Sequence, residues 1–177
     1  MRNWRAGVLV LAGLLGAAGA AGAAELRAEM HRATPSGPGE TVGTVTIADS
    51  AQGAVVRTDL KGLPPGPHGF HIHEHGSCRH ATANGDTVPA GAAGGHFDPH
   101  DTGKHAGPQG DGHLGDLPVL QVAATGDATG VLTAPRITDV SMLRGKTVMI
   151  HAGGDNYSDQ PEPLGGGGAR IACGVLR

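Results

Sequence analysis

The sequence predicts an all-β domain: an eight-stranded antiparallel sandwich or barrel interrupted by two long functional loops. Three observations predict it. Apolar residues alternate with polar ones in short runs, and Gly, Pro, Asn and Asp separate those runs. Apolar spacings of i, i+3, i+4 and i+7 are interrupted by Gly or Pro in most windows, so helices have little support. Two intervals, 76 to about 116 and 152 to about 168, lack apolar periodicity and are rich in Gly, His, Asp and Pro. Loops of that length are functional or disordered. The first holds His80, His96, His100, His105 and His113, a poor composition for a linker.

In chain order, residues 1–24 read as a cleaved secretory signal peptide. Arg2 and Arg5 precede an apolar run from Ala6 to about Leu15, and small residues follow up to Glu25. That run is shorter than the roughly 20 residues of a membrane span, and no charged stop-transfer pattern follows it. The chain is therefore expected to be periplasmic or secreted, with no membrane attachment after cleavage. Residues 25–177 suit one domain. The leader removes two of 13 basic residues and none of 16 acidic ones, which takes the net charge from −3 to −5. No basic stripe interleaved with aromatics is present, so a nucleic-acid partner is not expected. Trp4 leaves with the leader; Phe70, Phe97 and Tyr157 are then the aromatics left to build a core.

The strands follow from parity. Leu26, Ala28 and Met30 form one face, Val45 and Ile47 another, then Val56, Thr58 and Leu60. Val148 and Ile150 repeat the pattern, as do Ile171, Cys173 and Val175. Weaker strands at 67–74, 117–123 and 127–134 complete the eight. Gly165 to Gly168 lead directly into the last strand, where backbone must approach something closely. Met142 and Met149 read as core residues. In an exported chain, Cys78 and Cys173 are expected to pair. Closing a loop of about 95 residues is worth about 4 to 5 kcal/mol by chain entropy.

The chemistry begins at "HGFHIHEHGSC", residues 68–78. Residues two apart on a strand point the same way, so His71 and His73 offer two imidazoles on one face, about 7 Å apart at their Cα atoms. His75 shares their parity. The following loop adds His96, His105, His113 and Asp116, and three imidazoles with one carboxylate suit tetrahedral zinc. His113 and Asp116 are three apart, close enough for one turn to present both. His151 ends the strand "TVMIH" and could complete a set of four imidazoles, which favours copper. Seven ligands for eight coordination places require one imidazole bound through both nitrogens. Spacing does not choose which.

The motifs "GPHGFHIHEHGSC", "GGHFDP", "TGKHAGP", "GHLGDLPVL", "MIHAGGDNYSD" and "GGGGARIACGV" together resemble the copper/zinc superoxide dismutase family in its bacterial exported form. The resemblance runs from about residue 65 to the end. It implies a Greek-key β-sandwich or barrel, of which this family is a standing example. It implies one copper per subunit on His71, His73, His96 and His151, and one zinc on His96, His105, His113 and Asp116. His96 is then the bridge. Asp155 is implied to link His71 to His105, as carboxylates behind metal ligands do. Arg170 matches the arginine beside the copper, and Cys78 with Cys173 matches the family disulfide. The implied activity is dismutation of superoxide in antioxidant defence, with a homodimer as one possible assembly. His96 and Arg170 would carry the catalysis.

Other readings compete at some positions. A copper or zinc buffer would use the same ligands, and only Arg170 with an open copper face separates it from an enzyme. A zinc hydrolase would need Asp98 or Asp101 as base. His68 reads as structural, and His31, His75, His80 and His100 as surface or turn residues. An acidic chain that attracts an anion needs a local positive rim, for which Lys104, Arg144 and Lys146 are the expected sources.

Overall fold

In the computed structural model, residues 24–177 are described; the expected leader, Ala24 apart, lies outside them. Eleven strands form, from β1 (Glu25–Thr34), β2 (Gly37–Ala48) and β3 (Ala54–Leu60) through β4 (Gly66–His68) and β5 (Phe70–His73). A hairpin of β6 (Ala81–Ala83) and β7 (Asp86–Val88) follows, then β8 (Leu120–Val122), β9 (Ala128–Ala134), β10 (Thr147–His151) and β11 (Arg170–Val175). Seven strands make one curled antiparallel sheet in the order β5-β10-β11-β1-β2-β3-β9, and β4 pairs with β8. The chain crosses from one side of the sheet to the other three times, between β3 and β5, between β5 and β9, and between β9 and β10. Among the described residues no helix is long and apolar enough to cross a membrane.

All eight expected strands are present, with two differences. The run at 67–74 is divided at Gly69, where β4 turns to β8 and β5 to β10. Gly69 donates to Gly153 O at 2.7 Å and accepts from His151 N–H at 2.8 Å, an approach that brings the start of the second long loop to the first end of β5. The second difference is the β6–β7 hairpin inside the first loop. Asn84 (φ 54) and Gly85 (φ 89) turn it, the positive-φ pair that tight hairpins prefer.

Inward parity holds where the outer face meets water. Leu26, Ala28, Met30, Val45, Ile47, Val56, Thr58 and Leu60 are all buried. It fails for β10, buried at every position, and for β11, where Ala172, Cys173 and Gly174 are buried in succession. The long loops cover these strands' outer face, so both faces are dry. Aliphatic side chains fill the core with Phe70, whereas Tyr157 is 40 % exposed. Met149 is buried, but Met142 sits at the surface, 37 % exposed, because the 3-10 turn Val140–Leu143 sends Val140 and Leu143 inward instead. Cys78 and Cys173 form a disulfide with Cα atoms 5.9 Å apart, joining the first loop to β11.

Candidate metal centre

β5 explains why loop residues gather where they do. It is an edge strand of the large sheet, and an unpaired edge leaves backbone donors and acceptors open. The first loop fills that edge. Ile72 N–H donates to Gly115 O at 2.8 Å, Phe97 N–H to Ile72 O at 2.8 Å, and Leu117 N–H to Phe70 O at 3.2 Å. The same contacts set His71 opposite Asp116 and His73 opposite His96. Phe70 and Ile72 point into the core, so His71 and His73 point outward beneath the loops, 0 % and 1 % exposed.

Each imidazole of the His71, His73, His96 and His151 set has one nitrogen engaged by an oxygen of the fold. His71 Nε2 donates to Asp155 Oδ2 at 2.7 Å. His73 Nδ1 donates to Gly94 O at 2.9 Å, and His151 Nδ1 to Gly168 O at 3.1 Å. In the neutral rings these bonds leave lone pairs on His71 Nδ1, His73 Nε2 and His151 Nε2. The last two face each other at 3.3 Å with no proton to share, an arrangement a cation relieves. His71, His73, His96 and His151 offer four nitrogens within 4.8 Å of one another, a set that fits copper.

The neighbouring set is built on Asp116. His96 Nδ1 donates to Asp116 Oδ1 at 2.9 Å. His105 Nε2 donates to Asp155 Oδ1 at 2.7 Å, so its Nδ1 is left facing Asp116 Oδ2 at 3.0 Å but out of line for a hydrogen bond. His113 Nδ1 lies 3.4 Å from Asp116 Oδ1, also without one. Among the described residues three buried nitrogens, Nδ1 of His71, His105 and His113, therefore have no hydrogen-bond partner. Leaving such atoms dry costs roughly 1–3 kcal/mol each, and metal ligation is what would satisfy them.

Proximity alone groups His71, His96, His105 and Asp116 and leaves His113 outside, though its Nδ1 is 3.4 Å from Asp116. His71 thus lies near both candidate ions, but with Nε2 on Asp155 it has one nitrogen to give. His96 has Nδ1 on the Asp116 side and no hydrogen bond at Nε2 among the described residues. It alone of the two can serve both sets.

The electrostatics suit ligation. Burial pushes His96 down to about 4 and His151 to about 3, and holds His73 well below its ordinary value, which keeps these rings neutral. Burial also opposes charge on His105, but the facing Asp116 carboxylate and the hydrogen-bonded Asp155 outweigh it and raise the ring to about 9. For Asp116 and Asp155 burial favours the neutral acid, yet the histidine hydrogen bonds hold both well below the usual carboxylate range.

Arg170 opens β11 and donates to Ala90 O at 2.7 Å and Gly94 O at 2.6 Å, the second being the carbonyl that also holds His73. Burial lowers its pKa from the ordinary guanidinium value. His68 has both nitrogens against carbonyl oxygens, those of His151 and Pro64, each at 2.7 Å, so neither is open to a metal. Lys104 is paired with Asp111 at 2.6 Å, and Lys146 lies 4.8 Å over the Phe97 ring while donating to Glu74 O. Arg144 is exposed.

Two glycines make the close approach that the GGGG run suggested. A side chain on Gly165 would run into Asp155 Oδ1 and reach within 2.8 Å of His105 Nε2, and one on Gly167 would lie 3.2 Å from the His151 ring. Sequence reasoning missed Gly94 and Gly168, whose carbonyls set two tautomers, because a backbone oxygen carries no side-chain signature. It also missed Asp159, which accepts the His105 backbone N–H at 2.9 Å.

Comparison with known proteins extends over most of the chain. The family described as copper/zinc superoxide dismutase (SODC) matches residues 41–176. A superoxide dismutase (Cu-Zn) of Escherichia coli (strain K12) is 52% identical over 177 residues, covering 100% of both chains. The Cu/Zn superoxide dismutase from Brucella abortus superposes with a TM-score of 0.86 at 48% identity, covering 87% of this chain and 100% of that one. The solution structure of the monomeric copper, zinc superoxide dismutase from Salmonella enterica gives 0.78 at 54% identity, with the same coverage. Identity of this extent carries both fold and enzyme class: the chain belongs to the copper/zinc superoxide dismutase family and is an oxidoreductase of that kind.

Proposed function

We propose that the protein dismutes superoxide outside the cytoplasm, as antioxidant defence, using copper held by His71, His73, His96 and His151. Zinc is held beside it by His96, His105, His113 and Asp116. Two superoxide anions and two protons give one dioxygen and one hydrogen peroxide. Copper, when bound, supplies the one-electron chemistry in both directions, while zinc is redox-silent and structural.

The chain's own residues do the rest. Arg170, held by the Ala90 and Gly94 carbonyls, presents its remaining N–H donors to the anion. His96 has the one ring whose two nitrogens lie between the sets, and its Nε2 is the atom that carries a proton to the peroxide product. Asp155 fixes the tautomers of His71 and His105 together, so the two ligand sets are oriented by a single carboxylate. Both sets come from one chain, so the reaction needs no second copy. Export rests on the leader read in residues 1–24.

The observation that carries the proposal is the convergence of lone pairs in a dry pocket, with an arginine beside them that metal storage does not require. Arg170→Gln tests it. With copper and zinc contents unchanged, the rate of superoxide decay is expected to fall on the order of 10-fold, and its dependence on ionic strength to flatten. An unchanged rate would remove Arg170 from the reaction and leave metal buffering as the better reading.

A further inference from the structure

Arg136 follows β9 and lies apart from every ligand in sequence. Its guanidinium nonetheless reaches the metal loop, donating from one amino nitrogen to His113 O at 3.1 Å and from the other to Gly112 O at 2.7 Å. Two parallel donors on consecutive carbonyls fix both position and orientation of a backbone segment. Arg136 is half-buried and stands beside Ile137, a fully buried core residue, so the clamp is anchored in the barrel and not in the loop it holds.

His113 is the ligand that needs such a clamp. Its Nδ1 is 3.4 Å from Asp116, against 2.9 Å for His96 and 3.0 Å for His105, and it stands outside the tight four-residue group. His96 is held against β5, and the ring of His105 is held by Asp155. Among the described residues Nδ1 of His113 has no hydrogen-bond partner to orient the ring, so its backbone must place it. The amide N–H of His113 is tied within the loop to Lys104 O at 2.9 Å, and Gly112 is so close to that same carbonyl that a Cβ there would strike it. The carbonyl side is tied to the barrel through Arg136.

We propose that Arg136 is a positioning residue for the zinc site: by clamping the Gly112 and His113 carbonyls to the barrel it holds His113 where zinc requires it. This rests on the metal-centre reading above. Without the clamp, the 104–113 lobe would have to be ordered by the ion itself, at a cost in affinity.

The test is a zinc competition titration with a chromophoric chelator on wild-type, Arg136→Met, Arg136→Lys and His113→Ala proteins, with copper affinity measured in parallel. Arg136→Met keeps an apolar stem and removes the donors. It is expected to weaken zinc about 10- to 100-fold, the range for residues that orient metal ligands, with copper affinity unchanged. Arg136→Lys, with one donor point in place of a fork, is expected to recover part of the loss. Zinc affinity in Arg136→Met equal to wild type, or zinc and copper weakened equally, overturns the clamp. Should Arg136→Met fail to fold, Arg136→Lys decides by the same criterion. If His113→Ala also leaves zinc affinity unchanged, the fault lies in the zinc reading of His113; if only His113→Ala weakens it, the fault lies with Arg136 alone.

Discussion

At the scale of residues, the centre is a problem in proton placement. His73 and His151 are each obliged by a backbone carbonyl to protonate Nδ1, and His71 is obliged by Asp155 to protonate Nε2. Burial favours the neutral form of His73, His96 and His151 in the metal-free protein, and its stability should show it. The folded values of His96 (about 4) and His151 (about 3) lie below the unfolded value near 6.5, so the unfolded chain binds more protons between them. Stability is thus lost as pH falls below about 6.5, by on the order of 1 to 3 kcal/mol per ring. His105, raised to about 9, works the other way: its contribution is fully present below about 6.5 and is lost as pH rises toward 9. Denaturant unfolding of the metal-free protein across pH 4 to 9 should therefore show a maximum near pH 6.5. Stability rising steadily with pH, or flat below 6.5, would contradict these assignments.

At the scale of elements, the site depends on an edge strand and on what is fastened over it. The Cys78–Cys173 bond ties the start of the first loop to β11, between Arg170 and the chain end, and the same loop supplies the Ala90 and Gly94 carbonyls that Arg170 grips. Opening a loop of 95 residues in the unfolded chain removes about 4 kcal/mol of stabilisation. Cys78→Ser should lower unfolding stability by about 3–5 kcal/mol, read from the denaturant midpoint and slope; an unaltered midpoint would deny the bond any role. Elements also divide what the sequence discloses from what it hides. Parity finds β1 and β3 because one face of each meets water, and it finds the His71–His73 platform by strand alternation alone, since β5 is buried throughout. It misreads β11, whose outer face is covered by loops that have no period of their own. The β6–β7 hairpin had its Asn84-Gly85 turn in plain view, but strands of three residues with no apolar alternation offered nothing to flank it. Of the centre, the side-chain ligands are legible as residue types at informative spacings. The Gly94 and Gly168 carbonyls, and Arg136 reaching Gly112 and His113, exist only once the chain is folded.

At the scale of the whole molecule, an acidic chain has to draw in an anion. The net charge of −3 makes long-range attraction of an anion unfavourable, so any steering must come from the field near the proposed copper set. Lys104 gives little to it, since Asp111 holds its ammonium at 2.6 Å, and Lys146 is engaged by Glu74 O and the Phe97 ring. Arg170 remains the cation seated among the ligands, touching the same Gly94 carbonyl as His73. The barrel, the edge-filling loop and the disulfide together place that cation, and a site so arranged is expected to work close to the encounter limit. The most direct measurement is the second-order rate of superoxide decay with the copper- and zinc-loaded protein, set against the copper-free, zinc-loaded form. A copper-dependent rate near about 10⁸ to 10⁹ M⁻¹s⁻¹, the ceiling for which superoxide dismutase is itself a standing example, is the predicted result. Full occupancy of both ions with a rate no faster than the copper-free form would contradict it, leaving a metal-binding barrel without the catalysis.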